Sequence, residues 1–227
     1  MSHFFRVTLR TLDVDAARAF YTDLLGATPR IVRLHERALA QGAPPHWLGL
    51  LDVADLDRAV ETFVAHGATP LGPRWSDADG LEAANVRDPG GAVVALAKPP
   101  VAVGEPEPEI AWYLLHTTNL DAVREAYARV CGWRFAAPFE LGEHGTFHPF
   151  AWEASEARVG AVADIRARPG VHPHWLFHFR VGALDRAMAT VQAAGGKVFG
   201  PFVIPGGGRV AVCDDPQGAA FALYERV

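Results

Sequence analysis

Histidine poses the first chemical question in this chain, which carries ten of them against two cysteines and two methionines. An imidazole can ligate a metal, act as a general acid or base near neutral pH, or simply hydrogen-bond, and its spacing decides among these. His178 alternates with Leu176 and Arg180 in the run Trp175 to Val181, and His116 alternates with Leu114 and Trp112. Period-two alternation is that of a half-buried strand, so each histidine shares a face with its neighbours two residues away. His116 and His178 are the candidates for acid–base catalysis, and with Tyr224 they form the candidate polar lining of a concave site. Zinc or iron requires three or more close donors, which two histidines at different depths and one tyrosine do not guarantee.

Other residues are less pointed. His46 and His174 each follow a proline and precede a tryptophan, and a repeated strand entry of this kind reads as structural. The segment Phe139 to Phe150 combines acids, histidines and aromatics between glycines; it reads as a hairpin, with a wall over the site as the functional alternative, and Phe147 is the aromatic it offers to a flat ligand. Arg6, Arg10, Thr8 and Asp52 share a face, which suits a salt-bridged interior as well as an anion site. Pro205-Gly206-Gly207-Gly208 is a turn rather than a phosphate loop, because no helix and no Gly-Lys-Ser follow it. No Gly-x-Ser-x-Gly elbow is present, and Cys131 and Cys213 lack metal or redox spacing.

The elements that must position these residues occur twice. Pro45-His46-Trp47-Leu48 and Leu56-Asp57-Arg58-Ala59 match Pro173-His174-Trp175-Leu176 and Leu184-Asp185-Arg186-Ala187. The order continues through Gly72-Pro73 and Gly200-Pro201 to Asp88-Pro89-Gly90-Gly91 and Asp215-Pro216-Gln217-Gly218. An earlier pair of segments, Arg6 to Gly26 and Trp112 to Gly132, also repeats. Within a copy, the apolar face of the Trp175 strand precedes a helix from Leu184 to Ala194, then strands around Lys197 to Phe199, Arg209 to Cys213 and Ala219 to Tyr224. The prediction is two domains, 1–98 and 110–227, joined by a Pro/Glu-rich connector at 99–109. The stretch before Pro45 is about 22 residues shorter than its counterpart before Pro173, so the first unit is shortened and its cup shallower or open.

Composition restricts the partners. The 227 residues are 50% hydrophobic and 21% charged, with 21 basic against 26 acidic side chains and a net charge of −5. No basic field exists to grip nucleic acid, and no apolar run approaches the roughly 18 residues of a membrane span. The N-terminus lacks a signal-peptide pattern, so a cytoplasmic protein is expected.

The helix end Phe20-Tyr21-Thr22-Asp23-Leu24-Leu25-Gly26, the Asp-Pro-x-Gly turns at Asp88 and Asp215 and four βαβββ units together resemble the vicinal oxygen chelate superfamily, the glyoxalase, bleomycin-resistance and extradiol-dioxygenase group. The resemblance covers nearly the whole chain and implies an α+β fold of two tandem glyoxalase-like domains whose sheets curl into cups. Catalytic members hold one divalent metal there, on a histidine early in the first strand of each unit and a glutamate in the last. Carried onto this chain, those positions fall on Arg6, Leu48, Trp112, Leu176, Ala95 and Ala222, none of which binds a metal. At a rise of about 3.3 Å per residue, His178 and His116 would lie roughly 7 and 13 Å from that centre.

The resemblance therefore implies a protein with no cofactor that binds a small, partly aromatic molecule in its C-terminal cup, as drug-resistance members do. The lining residues are Trp112, Leu114, His116, Phe147, Leu176, His178, Arg180 and Tyr224. The alternative is a glyoxalase- or dioxygenase-type enzyme (lyase, isomerase or oxygenase) with a displaced divalent metal or a catalytic histidine. Single-domain relatives pair two chains to complete their cups, whereas a tandem chain supplies both halves, so a monomer or weak homodimer is expected.

Overall fold

Periodicity switches from two to about 3.6 after each first strand, and the chain follows that switch. The computed structural model of the chain describes residues 2–77, 80–99, 107–153, 155–205 and 207–226. The first half runs β1 (Phe4–Thr11), α1 (Val14–Leu25), β2 (Arg30–Arg33), α2 (Glu36–Ala40), β3 (His46–Asp52), α3 (Leu56–Ala65), β4 (Thr69–Pro70), β5 (Trp75–Ser76), β6 (Glu82–Arg87) and β7 (Val93–Lys98). The second runs β8 (Ile110–Thr117), α4 (Leu120–Cys131), β9 (Arg134–Phe135), β10 (Phe139–Glu140), β11 (Thr146–Ala151), β12 (Gly160–Asp164), β13 (His174–Arg180), α5 (Leu184–Ala193), β14 (Lys197–Val203), β15 (Arg209–Asp214) and β16 (Ala220–Glu225). Residues 100–106 of the expected connector lie outside the described residues. No helix among the described residues is long and apolar enough to cross a membrane.

The repeated helices start and stop by the same local chemistry. The Asp13 carboxylate accepts from the Ala16 amide at the start of α1, and the Asn119 side chain accepts from the Ala122 amide at the start of α4. Gly26 and Gly132 end them with φ of 70° and 67°, left-handed values that glycine adopts without a Cβ clash.

The strands form a seven-stranded sheet ordered β2-β1-β3-β7-β6-β4, with β5 on β6, and a nine-stranded sheet ordered β10-β11-β12-β8-β13-β16-β15-β14, with β9 on β11. In both, the first strand pairs parallel with the strand that closes its unit: β1 with β2, and β8 with β12. Between these partners the second half inserts β9, β10 and β11, and the first half has no counterpart, which is the shortened unit.

The compact units cut across the halves. One lobe comprises the described residues of 1–6, 49–99 and 113–175; the other comprises those of 7–48, 107–112 and 176–226. Inside the first, the Trp175 indole N–H donates to the Tyr127 hydroxyl at 3.1 Å, which donates to Asp88 Oδ2 at 3.1 Å. The Asp88 Oδ1 atom accepts from the amides of Gly90 and Ala92. Inside the second, Trp47, Tyr21 and Asp215 repeat this relay, at 3.3 and 3.0 Å, and Asp215 Oδ1 accepts from the amides of Gln217 and Ala219. Both tyrosines are fully buried, so their hydroxyls require such partners. In each relay the tyrosine comes from one sequence copy and the aspartate from the other.

The first lobe is built on stacked aromatics, Trp133 lying flat on Phe150 (centroids 4.4 Å apart) and on Tyr127 (4.6 Å). In the second, Trp47 packs on Phe179 at 4.9 Å and edge-on to Tyr21 at 5.1 Å.

Candidate functional site

Strand register sorts the candidate residues into two faces, one in each lobe. In the first lobe, His116 of β8 stands opposite Ala163 of β12, which stands opposite Phe147 of β11, which stands opposite Phe139 of β10. The next row on that face is Leu114, Ala161 and Pro149. Leu114, His116 and Phe147 are thus brought to one surface with alanines between them. The hairpin expected at Phe139 to Phe150 forms, and Phe139 and Phe147 stack with centroids 5.5 Å apart. Phe147 is buried, so it serves this surface as a fixed wall.

A pairing that the spacing did not reveal adds to this face. His116 Nδ1 lies 3.4 Å from His174 Nε2, with ring centroids 4.7 Å apart. His174 Nδ1 lies 2.7 Å from the carbonyl of His172 and so carries the proton, which makes its Nε2 the acceptor for an N–H on His116. His46, the repeat of His174, makes the same ring-to-carbonyl contact with Pro44, at 2.8 Å. That shared contact is a local clamp on the strand entry. Arg6 lies 3.7 Å from Asp77 in the first lobe.

The second lobe holds Trp112, Leu176, His178, Arg180 and Tyr224. Two rows cross its face: His178, Ala222, Val212 and Phe199, then Arg180, Tyr224, Val210 and Phe202. Leu176 and His178 are 1% and 5% exposed, whereas Phe199 is 55% exposed. His178 Nδ1 is buried and has no hydrogen-bond partner among the described residues. Burial pushes the pKa of His178 down to about 4, against the pull of the Leu176 and Trp112 carbonyls, which favour the charged ring. His178 is therefore neutral at pH 7. Arg180 is engaged: its Nε lies 2.7 Å from Glu109 Oε1, and its guanidinium sits 5.4 Å from the centre of the Tyr224 ring.

Phe199 and Phe202 were missed by the sequence reading, which ended this strand near Phe199. Alternation would place residues three apart on opposite faces. A register shift between Phe199 and Phe202, at Gly200-Pro201, puts both on the face of His178 and Tyr224 instead. The Gly-Pro pair within an apolar run was the available signal.

The donor set does not fit the metal of the resembled enzymes. Leu48, Leu176, Ala95 and Ala222 are apolar and 0–1% exposed, and Arg6 and Trp112 offer no metal-binding lone pair. Among the described residues, no group of three or more histidine, cysteine, aspartate or glutamate side chains could hold a metal ion. Cys131 and Cys213 are buried free thiols whose pKa values burial raises, so they stay protonated and inert. A separate cavity of about 560 Å³ lies on the helix side of the second lobe, between α1, α5 and the Asp215-Pro216-Gln217 turn, away from these faces.

No family model matches the chain. A protein of Mycobacterium tuberculosis named "Putative glyoxylase CFP32" is 30% identical over 246 residues, which span 96% of this chain and 93% of that protein. The "Anthracycline biosynthesis protein DnrV" of Streptomyces peucetius is 29% identical over 192 residues, 81% of this chain and 67% of that protein. Among solved structures, the 2,3-dioxygenase LapB of Pseudomonas sp. KL28 superposes with a TM-score of 0.66 at 16% identity, covering 97% of this chain and 91% of that one. The Mn(II)-bound glyoxalase of Novosphingobium aromaticivorans superposes with a TM-score of 0.62 at 16% identity, covering 99% and 83%. At such identities the structural likeness speaks for the fold alone.

Proposed function

The chain belongs to the vicinal oxygen chelate superfamily, and from that membership we propose that it binds a small, partly aromatic molecule on its C-terminal sheet without a metal. The observation that carries this reading is the chemistry of the chelate positions, where leucine and alanine side chains fill the places of donors. An apolar group cannot be rescued by protonation state or rotamer, so restoring the centre would need new residues. The faces that remain suit recognition: aromatic walls, small residues between them and a few histidines, with Arg180 paired to Glu109. The name of the Streptomyces relative, which places it in the synthesis of an aromatic product, supports an aromatic ligand. On the same reading the protein is a cytoplasmic monomer or weak homodimer with neither nucleic acid nor membrane as partner.

Elemental analysis of protein purified without a histidine tag tests the proposal, followed by thermal-shift screening of aromatic metabolites and antibiotics. Metal well below one equivalent, together with a ligand that raises Tm in a concentration-dependent way, is expected. Stoichiometric zinc, nickel, manganese or iron that is lost in His116→Ala or His178→Ala would overturn it. The second reading, a lyase, isomerase or oxygenase, is favoured by one observation: His116 and His174 are paired so that one orients the other, as an acid–base group requires. The glyoxylase name of the mycobacterial relative points the same way. Turnover abolished by His116→Ala in metal-free protein would establish it.

A further inference from the structure

We propose that the groove between α1 and α5 in the second lobe binds a small organic cation, an ammonium group carried on a flat apolar body. The groove lies on the helix side of the lobe, so it neither requires nor excludes a ligand on the sheet faces.

The two sequence copies differ at the residues that decide whether this space is filled. In the first lobe, His66 at the end of α3 and Glu125 of α4 reach towards each other between the corresponding helices, with Nε2 and Oε1 4.0 Å apart. The repeat puts Ala194 in the place of His66 and Ala19 in the place of Glu125. Two long side chains are thereby cut back to methyl groups, and a cavity of about 560 Å³ opens over Ala16, Ala19, Ala193 and Ala194. That volume is in the range of small-molecule sites.

Helix α1 supplies the recognition groups. Phe20 takes the place of Ala126 and Asp23 that of Arg129, and both line the cavity. Three residues apart on a helix, they are neighbours on one face. Phe20 is half-buried and packs edge-on against Tyr21 at 4.8 Å and Phe221 at 6.3 Å, so its ring is held in place, whereas Asp23 is exposed at the rim. An ammonium group between a carboxylate and an aromatic ring is attracted by both, and the alanines give its apolar body a floor. The other polar groups are already committed. Asp215 accepts from Tyr21 and from turn amides, Gln217 is bonded to Leu12 and Asp13, and the Thr190 hydroxyl donates to the Arg186 carbonyl. Among the described residues no arginine or lysine lines the cavity, so a carboxylate or phosphate would meet only carboxylates.

Three matched probes test this on the full chain: 2-naphthylmethylamine, 2-naphthylmethanol and 2-naphthoate, each titrated by calorimetry at pH 7.5. The amine, protonated at that pH, is expected to bind about tenfold tighter than the alcohol, and the carboxylate weakest of the three. In Asp23→Asn the amine and the alcohol should bind equally. Ala19→Leu/Ala194→Leu, which refills the groove, should weaken the amine at least about tenfold. Because Asp23 and Ala19 are exposed on α1, Asp23→Asn and the single variant Ala19→Leu keep the fold even where the double variant does not, and the test stays decisive. Alcohol or naphthoate binding as tightly as the amine, an amine preference that survives Asp23→Asn, indifference to the leucine variants, or no binding of any probe would overturn the assignment. A probe that ignores the leucines sits elsewhere, so the groove falls while the proposed function stands; bound stoichiometric metal defeats that function and leaves the groove untouched.

Discussion

His178 enters the folded core as a neutral ring, because burial holds its pKa near 4 against an ordinary value of 6.5. Its folded form binds fewer protons than the unfolded chain between those values, so its contribution is present above pH 6.5 and lost as pH falls towards 4. Asp88 has the opposite sign. Burial raises its pKa from 3.8 to about 6, against four opposing hydrogen bonds, so its contribution is greatest at low pH and declines as pH rises through 6. Each shift is worth about 3 kcal/mol across its window. Relative to the parent protein, His178→Phe should therefore gain stability as pH falls from 6.5 to 4, and Asp88→Asn should gain it as pH rises from 4 to 6. Urea midpoints at pH 4.5, 5.5 and 6.5 read both, and a variant that tracks the parent at every pH refutes the corresponding assignment. None of this was legible from spacing. Alternation placed His178 on the correct strand face, but its depth, its unpartnered nitrogen and the pairing of His116 with His174 depend on chain segments distant in sequence.

Turns and strands show how the two copies diverge under one plan. The Asp-Pro-x-Gly turn packs on a helix start in each lobe, yet its variable position differs. Gln217 accepts from the Leu12 and Asp13 amides before α1, at 3.2 and 2.7 Å, whereas Gly90 offers only its carbonyl to Thr118 before α4. A Cβ on Gly90 would strike Thr117 Oγ1 and come within 2.7 Å of Val123 Cγ2. Gly90→Ala should thus cost about 2–4 kcal/mol of stability by thermal or urea unfolding. Gln217→Ala, which removes helix-start bonds, should cost only about 1 kcal/mol. Equal effects at the two positions would contradict this division of labour. The helix stops at Gly26 and Gly132 were readable because glycine acts locally there. The reach of β14 to Val203 was not, because its register shift is defined by the partner strand β15.

At the scale of the whole chain, the twin relays assign a structural task to the repeats that look most like functional motifs. Tyr21 needs Asp215 and Tyr127 needs Asp88, so neither sequence half contains a complete relay. Tyr127→Phe should cost about 1–3 kcal/mol, since it leaves Asp88 Oδ2 and the Trp175 indole N–H without their buried partner. Residues 107–226 expressed alone should fail to form a folded monomer, dimerising or losing the near-ultraviolet circular dichroism of packed aromatics. A folded, monomeric half by size exclusion and circular dichroism would refute this.

The sequence by itself determined the superfamily, the repeated units with the first one shortened and the helix after the Trp175 strand, because each is written in local residue types and their order. Only the tertiary structure decided which copy supplies each relay partner, that His116 faces His174, that His178 lies buried, and that Phe199 and Phe202 share one sheet face. Those depend on strand register and on contacts between distant segments, where a shift of one residue reverses the side chain's direction and periodicity along a single strand carries no information about its neighbour.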